Sequence, residues 1–330
     1  MKNKQVNIFE STPFIRLCRI APLFLGAWGV LVAILLLCPG QQAMALELAQ
    51  FTDSSGKFIY DKPFQRIISL YSAHTENLCS LGGQDLLVGI SRTDDYPEEI
   101  LTRPRLSYRD DPEKFIRFKP DLVLIRPMIE RSYPQLISKL RNAGITVISL
   151  QPNGVEQMFA YWKILGALCG LEKQAEQLVA DFTARLEKIR TEIALIPVEE
   201  RPRVYFQSIH KKMKTFAPQS IAIFVLEEAG GINIGTDAVQ IRKTNIGYYG
   251  KERLLSIGQN IDIFLAQVGR MNPIDISTIT HEPGFLGIKA VRENRVHLIE
   301  ESLVSRPTMR ILTGIDKLQK IFHETDGSSH

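Results

Sequence analysis

The strongest constraint on the fold is a helical segment in the middle of the chain, from about Leu171 to Ile196. Gly170 precedes it and Pro197 follows it, so roughly 25 residues form a rod of about 37 Å. The apolar residues recur in steps of three and four, which places them on one helix face. They are Ala175, Leu178, Phe182, Leu186, Ile189, Ile193 and Ile196. Such a helix is either an ordinary surface helix or a strut between two lobes, and the similarity of the flanking halves favours the strut.

Length and charge bound the class of protein. The chain has 330 residues, of which 45% are hydrophobic and 23% charged, enough for two lobes with separate cores. The formal net charge is +4. Three of these charges fall in the first 45 residues, so the remainder is nearly neutral. No nucleic acid is therefore expected as a partner.

The first 45 residues resemble an export leader. Residues 2–19 are basic, residues 20–38 are apolar without a charge, and Ala43-Met44-Ala45 is a small-x-small cleavage site. We expect residues 1–45 to be a signal peptide and the mature chain to lie in the periplasm. Residues 20–38 are also long enough to remain as a membrane anchor.

The cysteines bear on lipidation of the leader and on disulfide formation. Cys38 loosely resembles a lipoprotein attachment site, but the bulky Leu37 before it argues against lipidation. Only Cys79 and Cys169 lie beyond the leader, both in helical patterns. We expect two buried free thiols rather than a disulfide or a metal pair.

Short apolar runs alternate with helical patterns in the first half. The predicted strands are 66–70, 86–90, 121–125 and 146–150, with a polar loop at 71–75. Strands separated by helices predict a parallel sheet, whose ligands bind beyond the carboxyl ends of the strands. The side chains on that rim are Tyr71, Ser72, His74, Arg92, Tyr108, Arg109 and Arg126.

The second half repeats this plan. A strand at 203–207, a polar loop at 208–219 and a helix at 221–228 follow one another. Glu113-Lys-Phe-Ile matches Glu252-Arg-Leu-Leu, and each is followed by a strand that opens with an acid, Asp121 or Asp262. The repeat indicates two pseudo-symmetric lobes, although a chance match of short segments is the alternative.

The order of these motifs resembles a known family. The run from Arg66-Ile-Ile-Ser-Leu through Gly82-Gly83 and Asp95-Tyr96-Pro97 to Lys119-Pro120-Asp121 is similar to the periplasmic substrate-binding proteins of ABC importers for ferric siderophores, haem and cobalamin. Leu226-Glu-Glu-Ala-Gly-Gly and Arg306-Pro307 fit the same pattern. The resemblance covers nearly everything after residue 60.

The resemblance implies the architecture and the partners. It implies an α/β fold of two parallel-sheet lobes joined by one long rigid helix: an amino-terminal lobe at 46–153, a linking helical segment at 154–197 and a carboxyl-terminal lobe at 198–330. The protein is expected to be a monomer that delivers one small-molecule metal chelate to the transmembrane subunits of an ABC permease. The residues that match the family's docking carboxylates are Glu113 and Glu252.

The ligand class is predicted from arginines. Guanidinium groups suit planar anions, so the ligand is expected to be an Fe(III) chelate, a ferric siderophore before haem or cobalamin. Arg109 and Arg126 are expected to face it together, opposed by Arg242 or Arg270. The full predicted set is Tyr71, His74, Arg92, Tyr108, Arg109, Arg126, His210, Arg242, Tyr248, Arg270 and Arg306.

Direct metal ligation by the protein is the weaker expectation. His74, Tyr71, Tyr248, His210 and Met213 have suitable donor atoms, but a loop histidine is more often a hydrogen-bonding residue. No side chain is assigned as a metal ligand, and no cofactor of the protein's own is expected.

Catalysis is not expected. The chain has no Gly-x-Gly-x-x-Gly after a strand, no Walker loop and no Gly-x-Ser-x-Gly elbow. A periplasmic two-lobed hydrolase and a membrane-anchored sensor remain as alternatives. Turnover of the ligand would distinguish the first, and retention of residues 20–38 the second.

Overall fold

The computed structural model describes residues 51–53, 56–58, 62–242 and 244–323. The expected signal peptide at 1–45 lies outside the described residues. Its cleavage site, Cys38 and the alternative membrane anchor at 20–38 therefore stay predictions.

The first lobe is built on a five-stranded parallel sheet. A hairpin of β1 (Phe51–Asp53) and β2 (Gly56–Phe58) precedes it. The sheet has the order β5-β4-β3-β6-β7. Its strands are β3 (Ile67–Ser69), β4 (Leu87–Ser91), β5 (Arg105–Leu106), β6 (Leu122–Ile125) and β7 (Thr146–Ser149). Its helices are α1 (Ser72–Ser80), α2 (Pro112–Ile116), α3 (Pro127–Ser132) and α4 (Pro134–Asn142).

The predicted loop at 71–75 is wrong, because α1 already begins at Ser72. No side chain caps this helix, and its first turns are buried although polar. The usual signals of a helix start, a capping residue and an amphipathic pattern, are therefore missing from the sequence. Tyr71 lies at the N-cap with an extended backbone.

Two helices follow the first sheet. They are α5 (Val155–Cys169) and α6 (Glu172–Ile193), joined at Gly170, whose φ of +69° is a conformation that favours glycine. The predicted apolar stripe from Ala175 to Ile193 is buried. The ring of Trp162 on α5 meets that of Phe182 on α6 edge-on, with centroids 5.4 Å apart.

The helix pair belongs to both lobes. α5 packs on α1 of the first lobe, and α6 packs on two helices of the second, α7 (Ile221–Glu228) and α12 (Ile311–His323). One continuous hydrophobic cluster runs from Ile67 through Trp162 and Phe182 to Leu318. Since a shared core resists relative movement, the pair joins the lobes rigidly.

The second lobe has a larger sheet. Its order is β11-β12-β9-β8-β13-β14, and β10 also pairs with β8. The strands are β8 (Arg203–Ile209), β9 (Lys214–Phe216), β10 (Ile232–Asn233), β11 (Val239–Gln240), β12 (Ile246–Tyr248), β13 (Ile263–Val268) and β14 (Val296–Glu300). The remaining helices are α8 (Lys251–Ser256), α9 (Ile276–Thr280), α10 (Lys289–Arg292) and α11 (Glu301–Val304).

The predicted fold of two α/β lobes is confirmed, but this second sheet is mixed rather than parallel. β8 pairs parallel with β10 and β13, but β9, β12 and β11 add antiparallel pairs at one side. The expected loop at 208–219 contains β9. The chain reverses at Met213, a non-glycine residue with a φ of 43°.

The cysteines match their prediction. Cys79 and Cys169 are both free thiols, Cys169 buried and Cys79 half-buried. Burial raises the pKa of each thiol to about 12, which keeps both protonated and unreactive at neutral pH.

Candidate functional site

A cavity of about 320 Å³ lies between the two lobes. Its first-lobe lining is Leu70, Tyr71, Ser72, Thr93, Tyr108, Arg126 and Gln151. Its second-lobe lining is Asn245, Ile246, Gln267, Arg270, Met271, Glu301, Ser305 and Arg306. We call this cavity the cleft.

The topology of the sheets explains why these residues meet. Each of the five strands of the first sheet is followed within three residues by a residue of the cleft. β13 and β14 of the second sheet end at the same place. Because parallel strands present their carboxyl ends at one edge, the loops that follow them converge there.

Tyr71 and Arg126 form the aromatic and cationic wall of the first lobe. The guanidinium carbon of Arg126 lies 5.2 Å from the centroid of the Tyr71 ring, a cation–π contact. Burial raises the pKa of Tyr71, against the opposing effect of the Arg126 charge, so the hydroxyl stays neutral. Arg126 forms no ion pair with another described residue.

Arg270 and Glu301 face the cleft from the second lobe. Arg270 is exposed and, within the described ranges, has no carboxylate partner. Glu301 opens α11 directly after β14. A Cβ on residue 269 would lie 2.3 Å from Glu301 Oε2, so Gly269 leaves the space that this carboxylate occupies. The cleft thus has two unpaired guanidinium groups and one carboxylate.

The third arginine of the cleft, Arg306, already has partners. It pairs with Asp95 at 2.8 Å and with the buried Glu76 at 3.3 Å. Burial alone would lower the pKa of Arg306. The hydrogen bond to Asp95 and the charge of Asp95 outweigh burial, so the pKa is raised. Arg306 therefore has less capacity for a ligand anion than Arg126.

These contacts tie the lobes together at one end of the cleft. Glu76 also accepts a hydrogen bond from Thr308 Oγ1 at 3.0 Å and lies 3.5 Å from Arg310 Nη1. Asn77 Nδ2 and Trp162 Nε1 both donate to the carbonyl of Pro307, at 2.9 and 3.0 Å. We call Glu76, Asp95, Arg306, Thr308 and Arg310 the cross-lobe clamp.

His74 lies behind the cleft and is fully buried. Its Nε2 lies 2.9 Å from the carbonyl of Ile125, which can only accept, so Nε2 carries the proton. Nδ1 then accepts from the hydroxyl of Tyr161 at 2.7 Å. Both ring nitrogens are used, which leaves none for a metal ion.

Five other predicted ligand residues lie outside the lining of the cleft. Arg92 pairs with Asp110 at 3.0 Å, and His210 is buried with Nδ1 on Gln207 at 2.9 Å. Arg242 and Tyr248 are exposed. Arg109 borders a neighbouring cavity, so Arg109 and Arg126 do not face one cavity together. Arg270, rather than Arg242, opposes Arg126.

Several residues of the cleft were not predicted from the sequence. Three are carboxamides, and one is the carboxylate Glu301. Gln151 directly follows a predicted strand, and the rule that placed Arg126 would have found it. Met271 and Glu301 follow strands of the second lobe, and Gln267 lies near the carboxyl end of β13. Asn245 comes from the antiparallel hairpin that was not predicted.

The two expected docking carboxylates have equivalent positions. Glu113 is the second residue of α2 and Glu252 the second residue of α8. Both are exposed. Each helix precedes the strand that opens after an aspartate, β6 after Asp121 and β13 after Asp262.

Two features are absent from the described part of the chain. No helix there is both long and apolar enough to cross a membrane. No group of three or more His, Cys, Asp or Glu side chains in the described ranges is arranged to hold a metal ion.

Known proteins resemble this chain in sequence and in fold. The chain is 26% identical over 270 residues to the uncharacterized ABC transporter substrate-binding lipoprotein YvrC of Bacillus subtilis, covering 79% of this chain and 81% of the relative. It is 23% identical over 299 residues to a cobalamin-binding protein of Halobacterium salinarum, covering 87% and 78%. The structure of a possible iron-binding periplasmic solute-binding protein from Staphylococcus epidermidis has a TM-score of 0.68 at 25% identity, covering 80% of this chain and all of that one. The family described as periplasmic binding protein matches residues 67–303, and this chain belongs to it.

Proposed function

We propose that this protein binds one metal chelate in the cleft and delivers it to an ABC permease. The observation that carries the proposal is the convergence of every first-sheet strand, and of β13 and β14, on one cavity between two rigidly joined lobes. A concave site at such strand ends is where a ligand binds in α/β folds. The relatives are solute-binding proteins, so the site is proposed for binding rather than for catalysis.

The ligand is proposed to be an anionic ferric chelate. Arg126 and Arg270 belong to opposite lobes and have no ion pair within the described ranges. A chelate with catecholate or carboxylate oxygens on both sides would accept hydrogen bonds from both guanidinium groups. The chelator supplies the coordination sphere of the iron, because burial keeps the Tyr71 hydroxyl neutral and His74 has both ring nitrogens engaged.

Cobalamin is the second candidate. One relative is named a cobalamin-binding protein. Two carboxamides of the cleft, on Gln151 and Asn245, are suited to the peripheral amides of a corrin. The third, on Gln267, is buried and already bonded to Ser208 and Ser305. The two candidates differ in charge, so a charge-removing substitution separates them.

The test is a titration of the mature protein with ferric catecholates, ferric hydroxamates, haem and cyanocobalamin, followed by fluorescence quenching. For an anionic ferric chelate, Arg126→Ala and Arg270→Ala should each weaken binding by about tenfold to hundredfold, equivalent to about 1.5–3 kcal/mol. Arg117→Ala, an exposed arginine outside the cleft, is the matched control. Tight cyanocobalamin binding that survives both cleft substitutions would replace the ferric chelate with a corrinoid.

The setting follows from the same proposal. The mature chain would work in the periplasm after loss of residues 1–45, as a monomer that meets the permease through Glu113 and Glu252. Amino-terminal sequencing of the native protein tests the export step, and a start at Met1 or at a lipidated Cys38 would contradict it.

A further inference from the structure

A second cavity of about 450 Å³ opens on the first lobe beside the cleft. The loop after β5 forms one wall and the junction of α3 with α4 forms the other. Tyr108 borders both the cleft and this cavity. We call the second cavity the annex.

The annex has an aromatic wall that carries a positive charge. The rings of Tyr108 and Tyr133 pack with centroids 4.8 Å apart. Arg109 Nε donates to the Tyr133 hydroxyl at 3.3 Å, and the guanidinium carbon lies 5.8 Å from the centroid of Tyr108. One N–H of five therefore orients the guanidinium, and its two terminal nitrogens have no partner within the described ranges.

The charges around the annex are unequal. Lys139 adds a second cation to the lining, without an ion pair in the described part of the chain. The carboxylate of the annex belongs to Asp110, which is already paired with Arg92 at 3.0 Å and with Lys114 at 3.5 Å. It also accepts from the backbone of Ser107 at 3.0 Å. The annex thus presents free positive charge beside tyrosine rings.

We propose that the annex binds an aryl carboxylate or aryl phenolate group. The oriented fork of Arg109 matches the two oxygens of a carboxylate, and the ring of such a group can pack on the tyrosine pair. A phosphate has no ring to pack against Tyr108 and Tyr133. A neutral aromatic group has no charge to pair with Arg109. The group comes either from a free aryl acid or from a pendant arm of a chelate in the cleft, since both cavities meet at Tyr108. Only the pendant-arm source rests on the proposed function.

The free-acid source is tested without iron. Salicylate is titrated into the mature protein by calorimetry and by ¹H–¹⁵N NMR, with neutral salicylamide as its matched ligand. Salicylate is expected to bind at least tenfold more tightly than salicylamide and to lose at least tenfold in Arg109→Ala. Tyr133→Phe, which keeps the ring and removes the orienting hydroxyl, should have a smaller effect. Arg131→Ala, an exposed arginine outside the annex lining, should change nothing.

The pendant-arm source is tested with two matched chelates. Ferrioxamine B is acylated on its terminal amine with a 2-carboxybenzoyl group or with a benzoyl group. If the arm reaches the annex, the carboxylated chelate binds at least tenfold more tightly, and Arg109→Ala removes that difference while the benzoyl chelate is unaffected.

The outcomes separate this proposal from the preceding one. Salicylate binding that depends on Arg109 supports the annex even if no chelate binds, in which case only the proposed function fails. If chelate binding depends on Arg126, but neither salicylate nor the carboxylated chelate gains affinity from Arg109, the annex proposal is overturned. The proposed function then stands. Absence of binding by every probe overturns both.

Discussion

His74 is held as a neutral imidazole by its surroundings. Burial lowers its pKa from 6.5 to about 4, and the nearby charge of Arg126 acts in the same direction, although the hydrogen bond to Ile125 opposes both. The folded protein therefore resists protonation of this residue more than the unfolded chain does. His74 connects α1, β6 and α5, and its charge state bears on the packing behind the cleft.

Acidification should destabilise the protein through His74. Between pH 6.5 and pH 4 the unfolded chain binds a proton that the folded chain does not, so the free energy of unfolding falls as pH falls. The full loss is about 3 kcal/mol. Urea denaturation at pH 7.5, 5 and 4 measures it. His74→Gln lacks the titrating group and should show a shallower dependence; equal slopes for the two proteins would contradict the assignment.

Part of the site could be predicted from the sequence by one rule. Residues that directly follow a predicted strand, such as Tyr71 and Arg126, line the cleft. This rule cannot predict ion pairs between residues that lie far apart in the sequence. Arg306 was expected to hold a ligand, yet its partners Asp95 and Glu76 lie 211 and 230 positions away. Arg109 was expected beside Arg126, but its hydrogen bond to Tyr133 directs it to the annex.

Among the secondary-structure elements, both halves of the chain have an aspartate directly before a central strand. Asp121 accepts from the backbone N–H groups of Gln65 and Arg66, at 2.8 and 2.9 Å. Asp262 accepts from the backbone N–H of Arg203 at 2.9 Å. In each lobe the aspartate fastens the entry of the neighbouring strand, which gives a physical reason for the repeated acid in the sequence.

Replacing these aspartates should loosen both sheets. Asp262→Asn and Asp121→Asn are each expected to lower the free energy of unfolding by about 1–3 kcal/mol, because one backbone donor or cation loses its carboxylate. We expect the larger loss of unfolding free energy at Asp262. Burial opposes its ionisation, but hydrogen bonds from Arg203 and Lys289 lower its pKa to about 2. Its stabilising effect is present above pH 4 and disappears as pH falls towards 2.

Chemical denaturation of both variants checks this prediction. Asp181→Asn, on the exposed face of α6, serves as the control. A cost at Asp121 and Asp262 no larger than at Asp181 would mean that the aspartates only cover the strand ends.

Element boundaries were predictable where the sequence carries explicit signals. The helix at 221–228 begins after Ser220, whose side chain caps it, and the structure has the same bounds. The antiparallel extension was missed, because its turn uses Met213 with a positive φ instead of the glycine or asparagine that usually marks such a turn. β9 is also only three residues long, too short for alternation to be seen.

At the scale of the whole molecule, the cross-lobe clamp governs how the two lobes stay aligned. Glu76 is 2% exposed, and it contacts three side chains from the other side of the cleft. A buried carboxylate with several donors is costly to leave half-paired. The clamp therefore works with the helix pair α5–α6 to restrict closure of the cleft.

Removing the carboxylate should weaken the whole protein. Glu76→Ala leaves Arg306 and Arg310 with fewer partners and is expected to cost about 3–5 kcal/mol of unfolding free energy. Differential scanning calorimetry measures it, with the exposed Glu98→Ala as the matched control. Similar costs for the two variants would show that the clamp is only a surface contact.

The proposed docking to a permease depends on two carboxylates on different lobes. Glu113→Ala and Glu252→Ala should each weaken docking by about 1–3 kcal/mol while ligand affinity stays unchanged, because both carboxylates are exposed and neither lines the cleft. Uptake assays and ligand titrations on the same variants separate the two effects. Glu176→Ala, an exposed position on α6, is the control. Loss of ligand binding in parallel with uptake would reject the docking role.

The cross-lobe clamp also sets an order of assembly. Thr308 lies 232 positions after Glu76, so nearly the whole chain must be made before Glu76 meets its partners. Until then the sheet of the first lobe has all its strands, but Glu76 at its edge has no cation as a partner. The first lobe therefore gains its last contacts only after residues 306–310 of the second lobe have been made.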